Sequence, residues 1–269
     1  MTMIRLIATD LDGTLLDGNG NLPAEVFPLI EALHAQGILF APASGRQYAN
    51  LKKLFAPAED KVLFICENGA LVKYRSKTLH LNPIPDALLK RTLDEIRLLP
   101  HLFPVLCGER CAYIEDAAEP FQSLSRNAYT NCERVENLDD VIGREAVCKI
   151  AVYDETAAAQ NCIKVLPRRL PALRTILSGE KWCDVSAPEA NKGEAIRFVQ
   201  GYFGFKREEC VAFGDHMNDY EMLLECGQAY VPENAYPPLK RLIGSTVAAN
   251  TEGGVLKKIR EILGEREKS

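Results

Sequence analysis

Short, mostly apolar segments that alternate with amphipathic helical segments constrain the fold of this chain more than any other feature. Residues 4–9 predict a buried strand, and residues 24–36 repeat apolar side chains at the spacing of one helix face. The same order returns in residues 38–43, 48–55 and 62–66, which predict strand, helix and strand. Strands that alternate with helices pair in parallel, because each helix carries the chain back across the sheet. The pattern therefore predicts an α/β fold.

The alternation changes in the middle of the chain. Two prolines within residues 81–85 suit a linker, because proline lacks an amide donor and restricts the residue before it. Beyond them we predict a hairpin, several strands and a helix at residues 156–166, until residues 186–188 suggest a second linker. The earlier alternation then resumes. The simplest architecture is one α/β domain formed by both ends of the chain, with a second domain inserted near residues 83–187.

Composition and charge are those of an ordinary globular protein. Of the 269 residues, 47% are hydrophobic and 26% are charged, and the formal net charge is −5. This balance provides no basic surface of the kind that binds nucleic acid or anionic membranes. No stretch reaches the roughly 18 consecutive apolar residues of a membrane span. We therefore expect neither a nucleic-acid partner nor a membrane partner.

Two further features concern the cellular compartment. The apolar run at residues 4–9 is too short for a signal peptide, and no small-residue cleavage site follows it. The nine cysteines form no C-x-x-C pair, and the four histidines offer no zinc-finger spacing. We expect a cytoplasmic protein whose cysteines are reduced and pack as small apolar side chains.

Two carboxylates, Asp10 and Asp12, come directly after the first predicted strand. Side chains two residues apart on an extended chain point to the same side, about 6–7 Å apart. Carboxylates placed in this way repel one another unless a cation or a shared proton compensates, and Gly13 then permits a turn. An acidic turn without any function would have the same composition.

Two other segments are suited to contact an anion. Ser44 and Gly45 follow the second strand, where a hydroxyl and free backbone amides before a helix can bind one, although Ser44 could equally cap that helix. Lys192 opens a later helix, and its positive charge opposes the helix dipole there. A bound anion would offset that cost, and a solvated surface lysine is the alternative.

A fourth polar segment follows a later strand and contains Asp215, Asn218 and Asp219. Asp219 could cap the next helix, whereas Asp215 has no such local role. Ligands of open α/β sheets bind beyond the carboxyl ends of the strands, so the fold would gather Asp10, Ser44 and Asp215 at one edge. Carboxylates without histidine or thiolate partners suit Mg²⁺, and a lysine, a hydroxyl and an amide beside it could hold a phosphoryl group. No Walker loop is present.

Four segments, taken in order, resemble the motifs of the haloacid dehalogenase-like superfamily. They are Asp10-Leu11-Asp12-Gly13-Thr14, Ser44-Gly45-Arg46, Lys192-Gly193 and Gly214-Asp215-x-x-Asn218-Asp219. Two more, Glu67-Asn68-Gly69-Ala70 and Glu252-Gly253-Gly254-Val255, fit its Cof-type subfamily of bacterial sugar and metabolite phosphatases. The resemblance covers almost the whole chain. It implies a Rossmann-like, doubly wound parallel-sheet core of residues 1–82 and 188–269, with an inserted α/β cap domain of residues 83–187.

The resemblance also implies a magnesium-dependent phosphatase that acts on small phosphorylated metabolites through an aspartyl phosphate. Asp10 would be the nucleophile and a metal ligand, and Asp12 the general acid and base, with its backbone carbonyl on the metal. Asp215 would be the third protein ligand of Mg²⁺, and Asp219 would support the metal shell. The residues that would contact the phosphoryl group are Leu11, Ser44, Gly45, Lys192 and Asn218.

One segment departs from the pattern of the subfamily. Val231-Pro232-Glu233-Asn234-Ala235 stands where a Met-Gly-Asn-Ala turn is common. This difference puts in doubt any contact from that loop, although it leaves the chemistry of the other motifs intact.

Two other functions remain compatible with these motifs. A regulator that binds a phosphometabolite without turnover would lack Asp10 or Asp12, and both are present. A phosphotransferase or mutase would pass the phosphate to a sugar rather than to water, and the same residues would serve it. We also expect a monomer or small homo-oligomer whose cap selects the substrate, with Trp182 and Asp184 as candidate cap contacts.

Overall fold

The computed structural model of the chain describes residues 3–115, 121, 123 and 128–267. The strands are β1 (Leu6–Thr9), β2 (Leu39–Pro42), β3 (Leu63–Cys66), β4 (Leu71–Tyr74), β5 (Lys77–Leu81), β6 (Leu102–Gly108), β7 (Ala112–Ile114), β8 (Cys132–Arg134), β9 (Val147–Asp154), β10 (Arg174–Gly179), β11 (Trp182–Ser186), β12 (Cys210–Phe213), β13 (Gln228–Pro232) and β14 (Thr246–Val247). The helices are α1 (Val26–Ala35), α2 (Tyr48–Leu54), α3 (Asp86–Arg97), α4 (Cys162–Arg169), α5 (Lys192–Phe203), α6 (Tyr220–Glu225), α7 (Pro237–Ile243) and α8 (Gly254–Glu267).

The chain divides into two compact units. Unit 1 takes the described residues within 1–44, 52–80 and 191–269, and unit 2 takes those within 45–51 and 81–190. The sequence did not predict that residues 45–51 belong with the inserted part. None of the helices in the described ranges has the length and apolarity that a membrane crossing requires.

Unit 1 is built on a parallel sheet with the strand order β14-β13-β12-β1-β2. Thr9 of β1 lies opposite both Phe213 of β12 and Pro42 of β2, so these three strands end at the same edge. The parallel α/β architecture predicted from the sequence is therefore confirmed. Strand β3 joins it only by two isolated parallel bridges and forms a separate three-stranded sheet with β4 and β5.

Buried side chains line both faces of the parallel sheet in unit 1. Leu6 and Ala8 point to one face and pack in one core cluster with Ile196 and Val199 of α5. Ile7 lies between them on the strand, is equally buried, and points to the opposite face. A leucine or isoleucine side chain contributes about 1.5–3 kcal/mol when it leaves water, which stabilises these short strands.

Unit 2 contains a six-stranded sheet with the order β10-β11-β9-β6-β7-β8. The neighbouring pairs are antiparallel except for β7 and β8, which run parallel. One face packs against α3 and α4 through side chains such as Leu93, Leu106, Ile150 and Leu166. The predicted hairpin of the inserted part is present as β6 and β7.

Residues 45–51 join unit 2 through their side chains and one backbone carbonyl. The side-chain carboxamides of Gln47 and Asn50 each donate one hydrogen bond to, and accept one from, backbone groups of the segment before β8. These hydrogen bonds are Gln47 Nε2 to Asn131 O (2.9 Å), Asn131 N to Gln47 Oε1 (3.1 Å), Asn50 Nδ2 to Ala128 O (2.7 Å) and Thr130 N to Asn50 Oδ1 (2.8 Å). The carbonyl of Gly45 accepts a bond from Lys149 Nζ at 2.7 Å.

Two details of unit 2 differ from the sequence predictions. The helix expected at residues 156–166 begins only at Cys162, because the Asp154 carboxylate accepts bonds from the Thr156 amide and hydroxyl and from the Cys162 amide. Cys162 also forms a disulfide with Cys183 of β11, so the expectation that all nine cysteines are reduced was wrong.

Candidate active site

The carboxyl ends of β1 and β12 bring distant acidic residues to one edge of the sheet in unit 1. Asp10 follows β1 directly, and its amide donates to the carbonyl of Phe213, which extends the pairing with β12 by one residue. Asp215 follows β12 by two residues. One carboxylate oxygen each of Asp10, Asp215 and Asp219 lie within 4.8 Å of one another. The structure thus brings together two of the predicted metal ligands and the predicted supporting residue.

Lys192 is the cation of this edge. Its side chain is fully buried, and Nζ donates to Asp10 Oδ1 and to Asp219 Oδ1, each at 2.5 Å. Asn191 caps helix α5 by accepting a bond from the amide of Glu194 at 2.9 Å, which fixes the first turn that carries Lys192. The alternative of a solvated surface lysine is therefore excluded.

Asp219 has a second role in the backbone of the segment before α6. Its Oδ2 accepts bonds from the amides of Asp215 and His216, at 3.0 and 3.1 Å. Gly214 makes this approach possible, because a Cβ at that position would lie 2.4 Å from Cβ of Asp219. The same carboxylate thus holds both the turn that presents Asp215 and the ammonium of Lys192.

The turn after Asp10 packs directly against Asp215. Gly13 has φ +77°, and a Cβ there would lie 2.5 Å from Asp215 Oδ2, so the position requires glycine. The hydroxyl of Thr14 donates to Asp215 Oδ1 at 3.0 Å. Sequence reasoning assigned no role to Thr14, and its place in the first motif was the only signal for it. The side chain of Asp12 is exposed, and it is not a member of the carboxylate group.

The predicted phosphate-contacting residues occupy several elements. Lys192 lies in the acidic group described above, and Leu11 is buried in the turn after Asp10. Ser44 is buried after β2, where its amide donates to the carbonyl of Ile65 at 2.9 Å. Asn218 lies in the single helical turn Met217–Asp219, and Gly45 begins the segment that belongs to unit 2.

Burial and mutual repulsion shift the protonation of the acidic group. Burial raises the pKa of Asp10 well above its ordinary value, although the charge of Lys192 opposes the shift. Burial and the nearby Asp219 also raise the pKa of Asp215. Burial disfavours the charge of Lys192, but Asp10 and Asp219 outweigh it and raise the pKa of the ammonium.

These properties fit a hard divalent cation. Three carboxylates around one ammonium leave two negative charges in excess when all are ionised. Oxygen donors without sulfur or imidazole are the ligands that Mg²⁺ prefers, and it is often held by only one or two carboxylates and water. Asp10 and Asp215 could hold such an ion, while Asp219 is already engaged with Lys192 and two backbone amides.

The loop that departs from the subfamily pattern keeps a contact with this edge. Asn234 Nδ2 donates to the carbonyl of Gly13 at 2.8 Å. The amide of Tyr236 donates to the carbonyl of Asp215, also at 2.8 Å. The doubt about contacts from this loop is therefore removed, because its asparagine reaches the first motif despite the different neighbours.

Comparison with known proteins agrees with this arrangement. A family model described as haloacid dehalogenase-like hydrolase matches residues 7–259. The chain is 26% identical over 263 residues to 5-amino-6-(5-phospho-D-ribitylamino)uracil phosphatase YbjI of Escherichia coli, covering 97% of this chain and 96% of that protein. It is 28% identical over 251 residues to HMP-PP phosphatase of Serratia proteamaculans, covering 90% and 88%. A crystal structure from Eubacterium rectale superposes with a TM-score of 0.87 at 29% identity, covering 97% and 99% of the two chains.

Proposed function

The chain belongs to the haloacid dehalogenase-like hydrolase family, and we propose that it is a magnesium-dependent phosphatase of small phosphorylated metabolites. One observation carries the proposal. A fully buried ammonium, Lys192, lies between Asp10 and Asp219, and Asp215 completes a group of carboxylates whose oxygens are within 4.8 Å of one another. Such pre-arranged charge suits the hydrolysis of phosphate monoesters, which is among the slowest uncatalysed reactions.

In the proposed reaction Asp10 is the nucleophile. Its second carboxylate oxygen attacks phosphorus, the bond from phosphorus to the ester oxygen breaks, and Asp12 gives its proton to the departing oxygen. Asp12 then accepts a proton from the water that hydrolyses the aspartyl phosphate, which releases inorganic phosphate and restores Asp10. Lys192 orients Asp10 through the bond to Oδ1.

Further residues complete the proposed site. Mg²⁺ held by Asp10, Asp215 and the backbone carbonyl of Asp12 would supply positive charge beside the phosphoryl oxygens. We assign the remaining contacts with those oxygens to the backbone and side chains predicted from the sequence. These are Leu11, Ser44, the amide of Gly45, Lys192 and Asn218.

Residues 83–187 are proposed to be the cap that selects the substrate, because the acidic edge of unit 1 offers contacts only to a metal and a phosphoryl group. The names of the two relatives support a small metabolite as substrate: one is a phosphatase of a ribitylaminouracil phosphate and the other of HMP-PP. Their identities to this chain are nearly equal, at 26% and 28%, so similarity favours neither substrate. We propose a cytoplasmic monomer or small homo-oligomer.

Substitution of the nucleophile tests the proposal. Asp10→Asn keeps the shape of the side chain but removes its nucleophilic charge, and we expect the turnover of p-nitrophenyl phosphate with magnesium to fall at least ~10³-fold. The control is Asp17→Asn, which alters a half-buried carboxylate outside the acidic group that accepts bonds from the amides of Asn19 and Asn21. Undiminished turnover in Asp10→Asn would end the assignment. Labelled oxygen from water in the released phosphate would separate a phosphatase from a transferase.

A further inference from the structure

The loop between Asp10 and α1 begins with an irregular turn. Asp12 has an extended backbone conformation, with φ −72° and ψ 120°, whereas Gly13 has φ +77°. The amide of Leu16 donates to the carbonyl of Leu11 at 2.9 Å and closes the turn. The side chain of Asp12 is exposed, and the backbone of the turn sets the direction of its Cα–Cβ bond.

Two asparagines from later parts of unit 1 hold this turn by its carbonyls. Asn234 Nδ2 donates to the carbonyl of Gly13 at 2.8 Å, and Asn250 Nδ2 donates to the carbonyl of Leu16 at 2.9 Å. The two are themselves linked, because Asn234 Oδ1 accepts a bond from the amide of Asn250 at 2.9 Å. We call Asn234 and Asn250 the carboxamide clamp.

We propose that the carboxamide clamp positions Asp12 for proton transfer to the leaving group. This inference rests on the proposed function, in which Asp12 is the general acid. Asn234 fixes the peptide between Gly13 and Thr14, since it binds the carbonyl of Gly13, the residue that follows Asp12. Neither asparagine is a catalytic residue, because their bonds go to backbone groups of the turn and to one another.

The nature of the leaving group separates this role from a structural one. An alkoxide is a poor leaving group and needs a proton as the bond to phosphorus breaks, whereas p-nitrophenolate leaves without one. A misplaced Asp12 therefore slows an alkyl phosphate far more than p-nitrophenyl phosphate. The ratio kcat/KM reports the steps up to formation of the aspartyl phosphate, so the comparison is made on that parameter.

The most informative variant is Asn234→Asp. It keeps the acceptor for the amide of Asn250 but replaces the donor to Gly13 by a carboxylate oxygen, which repels that carbonyl. General acid catalysis contributes about 10²–10⁴-fold, so we expect partial misplacement to lower kcat/KM for the best alkyl phosphate by about 10–100-fold. The expected loss for p-nitrophenyl phosphate is less than about 3-fold.

Companion variants separate the lost hydrogen bond from the added charge and from any loss of stability. Asn234→Ala removes the donor without adding charge and should give the same selective loss. Glu233→Gln changes the charge at the neighbouring exposed position and should leave both esters unaffected. Thermal unfolding midpoints of all variants identify any that are simply unstable, and kcat/KM is compared below the lowest midpoint.

Asp12→Asn provides the reference for the outcome. The clamp is supported when Asp12→Asn shows a larger selective loss and the double variant with Asn234→Asp shows no further change in the ratio of the two esters. An equal loss for both esters in Asn234→Asp, or a selective loss that adds to that of Asp12→Asn, overturns the clamp while leaving the phosphatase intact. If Asp12→Asn shows no selective loss for the alkyl phosphate, Asp12 is not the general acid, and the proposed role of the clamp is overturned as well.

Discussion

Each unit of this protein buries a lysine against a carboxylate, and the two lysines differ in the number of carboxylates that surround them. Lys149 of unit 2 donates to Asp184 Oδ2 at 2.8 Å and to the carbonyl of Gly45, while the hydroxyl of Ser178 donates to Asp184 Oδ1. The ion pair that the described residues show here joins one ammonium to one carboxylate. Lys192 of unit 1 instead lies between two carboxylates with a third close by.

The different number of carboxylates around the two lysines indicates a structural role for one lysine and a functional role for the other. Lys149 and Asp184 offset each other's charge through a direct contact at 2.8 Å, so the removal of one partner should affect folding. The group around Lys192 has an excess of negative charge, and burial raises the pKa of Asp10 and Asp215 accordingly. An imbalance of this kind costs stability and persists where a bound cation compensates it.

The largest expected effect comes from the removal of the unbalanced ammonium. Lys192→Met keeps the length of the side chain but leaves Asp10 without its orienting partner, so we predict a fall in kcat of about 10³-fold. Steady-state turnover of p-nitrophenyl phosphate with magnesium measures it. The matched variant, Lys149→Met, loses a bond to the carbonyl of Gly45 but leaves Asp10 and its partner in place, so it should lose far less turnover per folded molecule. An equal loss of turnover in both variants would remove the distinction between the two lysines.

The second effect is on stability, and here the larger loss is expected in Lys149→Met, the variant that affects turnover less. Lys149→Met removes a cation that contacts the buried carboxylate of Asp184, and breaking such a pair typically costs about 3–5 kcal/mol. Urea unfolding followed by the fluorescence of Trp182, the single tryptophan and a residue of β11, would measure the free energy of unfolding. The double variant with Asp184→Leu should recover part of the loss. A change below about 1 kcal/mol in Lys149→Met would show that the pair contributes nothing particular.

The smallest expected effect is a gain in thermal stability on removal of a carboxylate charge. The raised pKa of Asp215 means that the folded state binds its proton more tightly than the unfolded chain does. Its stabilising contribution is therefore present at acidic pH and lost as the pH rises through the folded pKa. Asp215→Asn should raise the melting temperature of the metal-free protein at neutral pH by about 2–4 °C. It should also weaken the dependence of that temperature on pH.

Magnesium provides the control for this last prediction. Excess magnesium should raise the melting temperature of the parent protein, because binding to the folded state alone stabilises it, and should have a much smaller effect on Asp215→Asn. Scanning fluorimetry with chelator and with magnesium measures both. A lower melting temperature in metal-free Asp215→Asn would contradict the idea that burial and the nearby Asp219 make the charge of Asp215 costly.

The sequence was sufficient to predict which residues meet because they follow the ends of strands in the same sheet. Asp10 and Asp215 were expected to meet because both follow strands of one parallel sheet, and their oxygens do lie close together. The resemblance to the haloacid dehalogenase-like family is confirmed by the family model. The hairpin of β4 and β5 was missed because its turn uses Arg75 and Ser76 at φ +49° and +61°, where glycine or asparagine is the usual signal.

Pairings between distant side chains could not be predicted. Lys149 and Asp184 are 35 residues apart on different strands, and nothing in the local sequence of either indicates the other. Asp184 was singled out as a candidate substrate contact, and that role stays a prediction beside its bond to Lys149. Asn234 was noted only for its unusual neighbours, since a hydrogen bond to a turn 221 residues away leaves no local pattern.

The segment of residues 45–51 limits how this protein can be recombined with its relatives. A graft of residues 83–187 alone would leave behind Gln47 and Asn50, and with them the four hydrogen bonds to the segment before β8. It would also deprive Lys149 of the Gly45 carbonyl. The unit that is proposed to select the substrate is therefore discontinuous in the sequence, and a chimaera that tests this proposal has to carry the first half of α2 together with the inserted part.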